Sequence, residues 1–320
     1  MPADPVRGRH LIFGDWGSTA LRLALCRIEE ARVVPVAQGR GPGIKFADDF
    51  ETAFFDAAGE WLVGDAHLPV VLAGMIGSDR GWVETGYAAC PATVGDLAGD
   101  AATVVARGLR ITILPGARCN SIFGLPDVMR GEEVQLAGWL ALRGSGAGRH
   151  LVCLPGTHAK WAVVDNGAIA HFFTSMQGEL YDILLRHSLL ARPELRSTDP
   201  IEPDNAAFLH GLKLISGTPH LAIEHALFTP RASLLTGAVA NHAVPALLSG
   251  LLIGADVRDA HRALHAADQA FDAVSFVGAP ALTALYAAAA QELGLAADCL
   301  DADTAMIAAL EALLPHLPLE

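Results

Sequence analysis

No apolar run in the 320-residue chain approaches the 18 residues that span a bilayer; the longest, around Ala284 to Ala290, ends at Gln291-Glu292. No membrane partner is expected. Residues 1–10 (MPADPVRGRH) lack the apolar core of a secretory signal, so a cytoplasmic location is expected. Cysteine is sparse: Cys26, Cys90, Cys119, Cys153 and Cys299 lie far apart with no CxxC pair. That pattern reads as reduced small hydrophobes and excludes a disulfide or zinc framework. Positive charge is also scarce. A formal net charge of −13 argues against a nucleic-acid partner or an acidic membrane surface, though it leaves room for a small basic pocket around an anionic substrate. No Gly-Lys dipeptide occurs, which excludes a P-loop. The glycine cluster Gly144-Ser145-Gly146-Ala147-Gly148 precedes its strand instead of following it, so it reads as a flexible linker and not as a dinucleotide-binding turn. His261 and His265 are spaced i, i+4 on an expected helix, but neither HExxH nor nearby acids accompany them, and no zinc site is expected.

What the chain does have is apolar mass: 52% hydrophobic residues against 18% charged, enough to exclude disorder, over a length that suits two domains. His10 to Phe13, Ala20 to Ile28 and Arg32 to Ala37 read as three strands, with the short segment Asp15 to Thr19 between the first two. A helix over Asp49 to Leu62 and short apolar runs at Val70 to Ala73 and Ile111 to Leu114 follow. Glu132 to Arg143 then reads as a helix with acids in its first turn. The pattern repeats. Leu151 to Leu154, Lys160 to Val164 and Ala168 to Phe173 are three more strands, the last two joined by Asn166-Gly167, a strong hairpin signal. A helix over Gly178 to Leu190 comes next. Ala273 to Val277 and Ala297 to Leu300 are strands, Ala281 to Leu293 and Thr304 to Leu314 helices. The expectation is an α/β protein of two related lobes around a cleft, residues 1–130 and 131–320. In the stretch from about 191 to 250, Pro, Gly and His break every period.

Three turns carry chemistry. Asp15-Trp16-Gly17-Ser18-Thr19 puts a carboxylate, a glycine and two hydroxyls just past a buried strand, where main-chain N–H groups and hydroxyls can hold phosphate oxygens. An aspartate there repels phosphate unless a divalent cation such as Mg²⁺ intervenes; the plain alternative is an ordinary hairpin turn. Pro155-Gly156-Thr157-His158 sits at the matching place in the second half, with Lys160 close by on a strand and free to point either way. Val277-Gly278-Ala279-Pro280 joins a strand to a helix and could hold adenosine or be a simple connection.

The stretches GDWGSTALRL, GMIGSDRGWVETGYAACPA, PDVMRGEEVQLAGWL, LPGTHAKW and MQGELYDILLRHSLL resemble, in that order and over nearly the whole chain, the 2-dehydro-3-deoxygalactonokinase family of the sugar kinase/Hsp70/actin superfamily. One departure is Asp79, where an uncharged or basic residue is expected. The resemblance implies an actin-like ATPase (ribonuclease H-like) fold, ATP and Mg²⁺ as cofactors, and phosphorylation of 2-dehydro-3-deoxy-D-galactonate on its 6-hydroxyl. It also implies roles. Asp15 meets Mg²⁺ through water; Gly17, Ser18 and Thr19 meet the γ-phosphate; Gly156, Thr157 and His158 hold the β-phosphate side; Gly278 lies against adenosine.

The attacking hydroxyl needs a carboxylate base, which related sugar kinases place at the start of the helix crossing between lobes. Glu132 is the first choice here and Asp127 the reserve, with dipole capping as the alternative role for Glu132 and the favoured one for Glu133. The substrate's carboxylate calls for a cation. Arg80 suits a bidentate pair, with Arg22, Lys45 and Arg130 behind it and Ser78, Trp82 and the Gly41-Pro42-Gly43 loop as further lining. The partners expected are the sugar acid and ATP, with a homodimer left open. A phosphatase on the same fold, in which water replaces the sugar hydroxyl, and a non-enzymatic ATP switch are the competing readings.

Overall fold

β1 (His10–Trp16) is apolar on both faces: Leu11 and Phe13 point one way, Ile12 and Trp16 the other. Such a strand needs neighbours in its plane and layers above and below it. The computed structural model, which describes residues 10–30, 32–64, 68–143, 148–190 and 200–318, shows both. β2 (Ala20–Glu29) and β3 (Arg32–Pro42) continue β1 as an antiparallel meander, and after α1 (Phe50–Gly64) β4 (Val70–Gly74) returns parallel to it. β5 (Tyr87–Ala89) and α2 (Val94–Gly99) precede β6 (Ala102–Ala106) and β7 (Leu109–Ile113), which closes the sheet in the order β3-β2-β1-β4-β7-β6. β8 (Gly116–Asn120) and β9 (Pro126–Met129) join β5 in a separate three-stranded sheet before α3 (Glu132–Arg143).

The second lobe opens with the meander β10 (Arg149–Leu154), β11 (Ala159–Asp165) and β12 (Ala168–Ser175). Its β11–β12 turn has Asn166 and Gly167 at φ 48° and 83°, as an Asn-Gly hairpin requires. Among the described residues five α-helices follow: α4 (Gln177–His187), α5 (Ala206–Gly217), α6 (Ile223–Ala226), α7 (Thr229–Leu235) and α8 (Val244–Ala266). They lead to β13 (Ala273–Gly278), α9 (Pro280–Glu292), β14 (Ala296–Asp301) and α10 (Ala302–Leu313). The strand order β12-β11-β10-β13-β14, with β13 and β14 parallel to β10, repeats β3-β2-β1-β4-β7. The two α/β lobes expected from the sequence are duplicates in topology, the arrangement of actin-like ATPases. The segment the sequence left unassigned holds α5 to α7 and the start of α8. Residues 1–9, 191–199 and 144–147 of the glycine cluster lie outside the described residues.

The layers are α1, the first sheet, α3 with α10, the second sheet, then α5, α8 and α9. Phe54 and Ala58 of α1 cover one face of the first sheet; Val134 and Ala137 of α3 with Met306, Ala309 and Leu310 of α10 cover the other. Leu136 and Trp139 of α3 and Ala305 of α10 also pack on Val152 and Ala162 of the second sheet. The two central helices touch backbone to backbone: a Cβ on Gly138 would fall 1.7 Å from the Ala305 carbonyl oxygen, so only glycine fits. α3, which begins at Glu132, and α10 are therefore shared by the cores on both sides of them. No helix among the described residues is long and apolar enough to cross a membrane.

Candidate active site

Strand alternation aims the key side chains. Asp15 lies on the β1 face of Leu11 and Phe13, toward the central helices, and Gly74, at φ +89°, leaves its carboxylate room: a Cβ there would sit 2.9 Å from Asp15 Oδ1. Asp15 Oδ2 pairs with Arg22 Nη2 at 2.5 Å. This carboxylate raises the arginine's pKa, against the effect of burial, with Asp303 adding a weaker pull. Arg22, expected near the sugar acid, is engaged by Asp15; both line a cavity of about 130 Å³ together with Arg40, Gln135 and Asp303. Ser18 and Thr19 form the open tip of the hairpin. The loop after β3 clamps that tip: Ile44 N–H donates to Gly17 O and Lys45 N–H to Ser18 O, each at 3.1 Å. Lys45, also expected near the sugar acid, has its main chain against the first turn and its side chain exposed.

The first turn of α3 lies beside this corner. Gly131, at φ +111°, passes so close to Gly74 that a Cβ on it would lie 3.5 Å from the Gly74 Cα. Glu132 accepts the Arg130 N–H at 3.1 Å, and both oxygens of Glu133 accept the Gly131 N–H at 2.8 and 2.7 Å. Burial raises the Glu132 pKa; Lys160 and the local N–H groups oppose it, and Asp15 adds to it. Glu132 therefore lies within electrostatic reach of Asp15 in one lobe and Lys160 in the other. Glu133 is fully buried, and that burial together with the Glu132 charge pushes it up to about 8.

Lys160, whose direction the sequence left open, points to the interlobe face of β11 with Ala162 and Val164. It is buried there and donates to Val128 O at 2.8 Å and Thr174 Oγ1 at 2.7 Å. Asp127 accepts the Thr174 N–H at 2.7 Å, the Thr174 hydroxyl at 2.6 Å and the Val128 N–H at 2.8 Å. Its oxygens are committed to tying β9 to β12. Ala92 and Ile169, and Cys119 and Phe172, make further ties between the small sheet and β12.

The second turn is walled by the start of α4. A Cβ on Gly178 would fall 2.2 Å from Gly156 O and 2.8 Å from the Thr157 Cα. Glu179 N–H donates to Thr157 O at 2.9 Å, and the Glu179 carboxylate meets His158 Nε2 at 2.7 Å. Gly278 joins the same place, since a Cβ on it would lie 3.5 Å from Pro155 O. Next to this turn opens a cavity of about 780 Å³, lined by Gly156, Thr157, Gln177, Tyr181, Leu282 and Tyr286 among others. Beneath its wall the buried Asp256 accepts from Trp161 Nε1 at 3.1 Å and Tyr286 OH at 2.8 Å, and burial pushes it up to about 6. The sequence reading missed Gln177, Gly178 and Glu179, although the signal was present: a helix begins at the family-like stretch MQGEL.

In the loop expected from the sequence to line the sugar-acid pocket, the Ser78 hydroxyl donates to Met75 O at 2.7 Å and is buried in its own turn. Trp82 packs its ring on Trp16 and Phe54, with centroids 6.4 and 6.1 Å apart. Arg80 is exposed and, among the described residues, makes no ion pair. The structure thus brings Glu132 within electrostatic reach of Asp15 and Lys160, and sets Gly156, Thr157, His158 and Gly278 together at the turn that leads into β11.

Two similar lobes with a glycine turn at the end of each first strand would suit several phosphotransferases, and similarity to known proteins narrows the choice. The 2-keto-3-deoxy-galactonokinase family profile matches residues 15–313. The chain belongs to that family. It is 37% identical over 307 residues to the 2-dehydro-3-deoxygalactonokinase of Escherichia coli (strain K12), covering 93% of this chain and 95% of that one. A Rhizobium meliloti (strain 1021) protein named "Probable 2-dehydro-3-deoxygalactonokinase" is 36% identical over 298 residues, 93% of this chain and 94% of that one. A Sinorhizobium meliloti crystal structure described as a "putative 2-dehydro-3-deoxygalactonokinase protein" superposes with a TM-score of 0.83 at 36% identity, over 95% of this chain and 97% of that one. Family membership makes the chain a kinase, a phosphotransferase of carbohydrate metabolism that uses ATP.

Proposed function

We propose that this kinase transfers the γ-phosphoryl group of ATP to the 6-hydroxyl of 2-dehydro-3-deoxy-D-galactonate, giving ADP and the 6-phospho sugar acid. The observation that supports the site assignment is the place of Glu132 in the first turn of α3, which packs through Gly131 against Gly74 beside Asp15 and lies within electrostatic reach of Asp15 and Lys160. Phosphoryl transfer depends on positioning and charge neutralisation, so the groups that matter are those fixed before the substrates arrive. Glu132 is fixed by the Arg130 N–H, and burial raises its pKa toward the working range of a general base. It takes the proton of the 6-hydroxyl as the new O–P bond forms and the bond to the β-phosphate oxygen breaks. Gly17, Ser18 and Thr19 meet the γ-phosphate; Gly156, Thr157 and His158 meet the β-phosphate. The nucleoside occupies the large cavity beside Gly278, whose lining is mostly apolar and aromatic. Arg80 takes the substrate's carboxylate from the rim, with Trp82 and Lys45 nearby. Arg22 acts instead as the counter-ion of Asp15, and Asp127 as an interlobe tie.

Asp15 offers a hard oxygen donor with space around it, which fits Mg²⁺, a cation that takes one or two carboxylates and keeps several waters. Bound there, Mg²⁺ would neutralise charge on the transferred phosphate. The homodimer that the sequence leaves open is read directly by light scattering.

The test is a coupled ADP-release assay with the galactonate-derived acid and its gluconate epimer, run on wild type and Glu132→Gln. The expected result is acid-dependent ADP release that favours the galactonate epimer. Its acidic limb lies above the ordinary glutamate range near pH 4.3, and the variant loses about 10²–10⁴-fold in kcat with its Tm kept. ADP release indifferent to the acid would favour a phosphatase, and wild-type turnover in a folded Glu132→Gln would remove the base.

A further inference from the structure

The loop that carries Ser78, Arg80 and Trp82 and the helix that carries Glu132 are joined by one side chain. Arg130 Nη1 donates to Thr85 Oγ1 at 2.5 Å, while Nη2 donates to the carbonyl oxygens of Thr85 at 3.1 Å and Gly86 at 3.4 Å. Its guanidinium carbon lies 4.3 Å from the centre of the Tyr87 ring. Thr85 is buried, and its hydroxyl donates to Gly77 O at 3.0 Å, while its N–H donates to the same oxygen at 2.9 Å. Gly77 is the residue before Ser78, and there is no room beside it: a Cβ would land 2.6 Å from Thr85 Oγ1 and 2.9 Å from Arg130 Nη1.

At its other end, the main chain of Arg130 and Gly131 is gripped by the carboxylates of Glu132 and Glu133. From α3 outward the order is therefore Glu132, Arg130, Thr85, Gly77 and the loop holding Arg80. The Arg130 Nε–H is buried and has no partner among the described residues, a penalty that a surface-facing arginine would not bear. Sequence reading offered Arg130 as a substrate ligand; its fork is spent instead on the protein's own loop.

We infer that Arg130 is a positioning residue for the sugar acid: it sets the 77–87 loop at a fixed height over the first turn of α3, so that the carboxylate held at Arg80 and the hydroxyl presented to Glu132 belong to one rigid frame. The inference rests on the reading of Arg80 as the carboxylate ligand. It needs arginine specifically, because the contacts require two nitrogens on one planar group and a flat face over Tyr87, and a lysine ammonium supplies neither. It also predicts which kinetic constant moves. Glu132 is held by the Arg130 main-chain N–H, so a side-chain change frees the loop and leaves the base in place.

The experiment measures KM for the sugar acid, kcat, ATP affinity by calorimetry, and Tm on Arg130→Lys, Thr85→Val and Arg80→Ala. Arg130→Lys and Thr85→Val are expected to raise the sugar-acid KM at least tenfold, with kcat within about threefold and ATP affinity unchanged. Thr85→Val decides the matter if Arg130→Lys does not fold. The inference is overturned if Arg80→Ala raises KM while both other variants keep it, or if ATP affinity and KM weaken in parallel, which is the mark of a general structural role. An unchanged KM in Arg80→Ala sinks the ligand reading itself, a result separable from either.

Discussion

Replacing Gly178 with alanine puts two effects in opposition, and the structure decides between them. Gly178 is the second residue of α4, and alanine is the better helix former by about 1 kcal/mol. On propensity alone the variant should be more stable. The added Cβ, however, would lie 2.2 Å from Gly156 O and 2.8 Å from the Thr157 Cα, main-chain atoms with no rotamer to swing away. Carbon and oxygen settle near 3.2 Å or beyond, so the start of α4 and the Gly156–Thr157 turn must part by about 1 Å. Overpacking of this kind costs about 1–3 kcal/mol and cancels or exceeds the propensity gain. If the turn holds the β-phosphate as proposed, the functional cost is larger, because a displacement of about 1 Å in a positioning group costs about 10²-fold. Gly178→Ala is therefore expected to lose about two orders of magnitude in kcat/KM for ATP, with a Tm equal to or below wild type. Gly59→Ala, inside α1 where a Cβ meets nothing within 4 Å, is the control and should gain stability with full activity. Coupled ADP release and calorimetric ATP binding read the two proteins side by side. Wild-type ATP affinity together with a raised Tm in Gly178→Ala would refute both the contact and the role given to the second turn.

Asp127→Asn separates the tie from the reserve base. The carboxylate accepts three protein hydrogen bonds, and weakening charge-assisted bonds of about 1.5–3 kcal/mol should lower Tm by several degrees with kcat within about threefold; a large loss of kcat at unchanged Tm would restore Asp127 as a base. Burial and the Glu132 charge push Glu133 up to about 8 from its ordinary 4.5, so the folded state holds the proton more tightly. Its contribution is full below about pH 4.5 and is lost as pH rises through 8. Glu133→Gln, which keeps an acceptor and cannot ionise, should therefore gain in Tm relative to wild type as pH is raised from 5 to 8. A Tm difference flat across that range would mean that Glu133 does not titrate there.

Short continuous apolar runs such as His10–Phe13 and Trp161–Val164, set against polar turns, exposed the duplicated meander because such a run is a local signal. The small sheet of β5, β8 and β9 was invisible for the opposite reason. Its strands are three to five residues long, and ties to β12 that lie far along the chain help to hold it in place. The α5–α8 region failed because Pro230 and Pro245 stand at helix starts, where proline is welcome, and a periodicity count reads them as breaks.

The site divides along the same line. Turn glycines announced themselves, since Gly17, Gly156 and Gly278 each follow an apolar run. The charged side chains were harder, because identity does not reveal occupancy: Arg22, Arg80 and Arg130 look alike in the sequence. One holds Asp15, one holds Thr85, and one makes no ion pair at the rim among the described residues. A cation already held by the protein's own acceptors must give them up to take a substrate carboxylate, and that exchange weakens net affinity. A cation facing water gives up only solvent. Occupancy therefore favours the proposed pairing of Arg80 with the anionic substrate over Arg22 and Arg130, whose guanidinium groups already meet the protein's own acceptors.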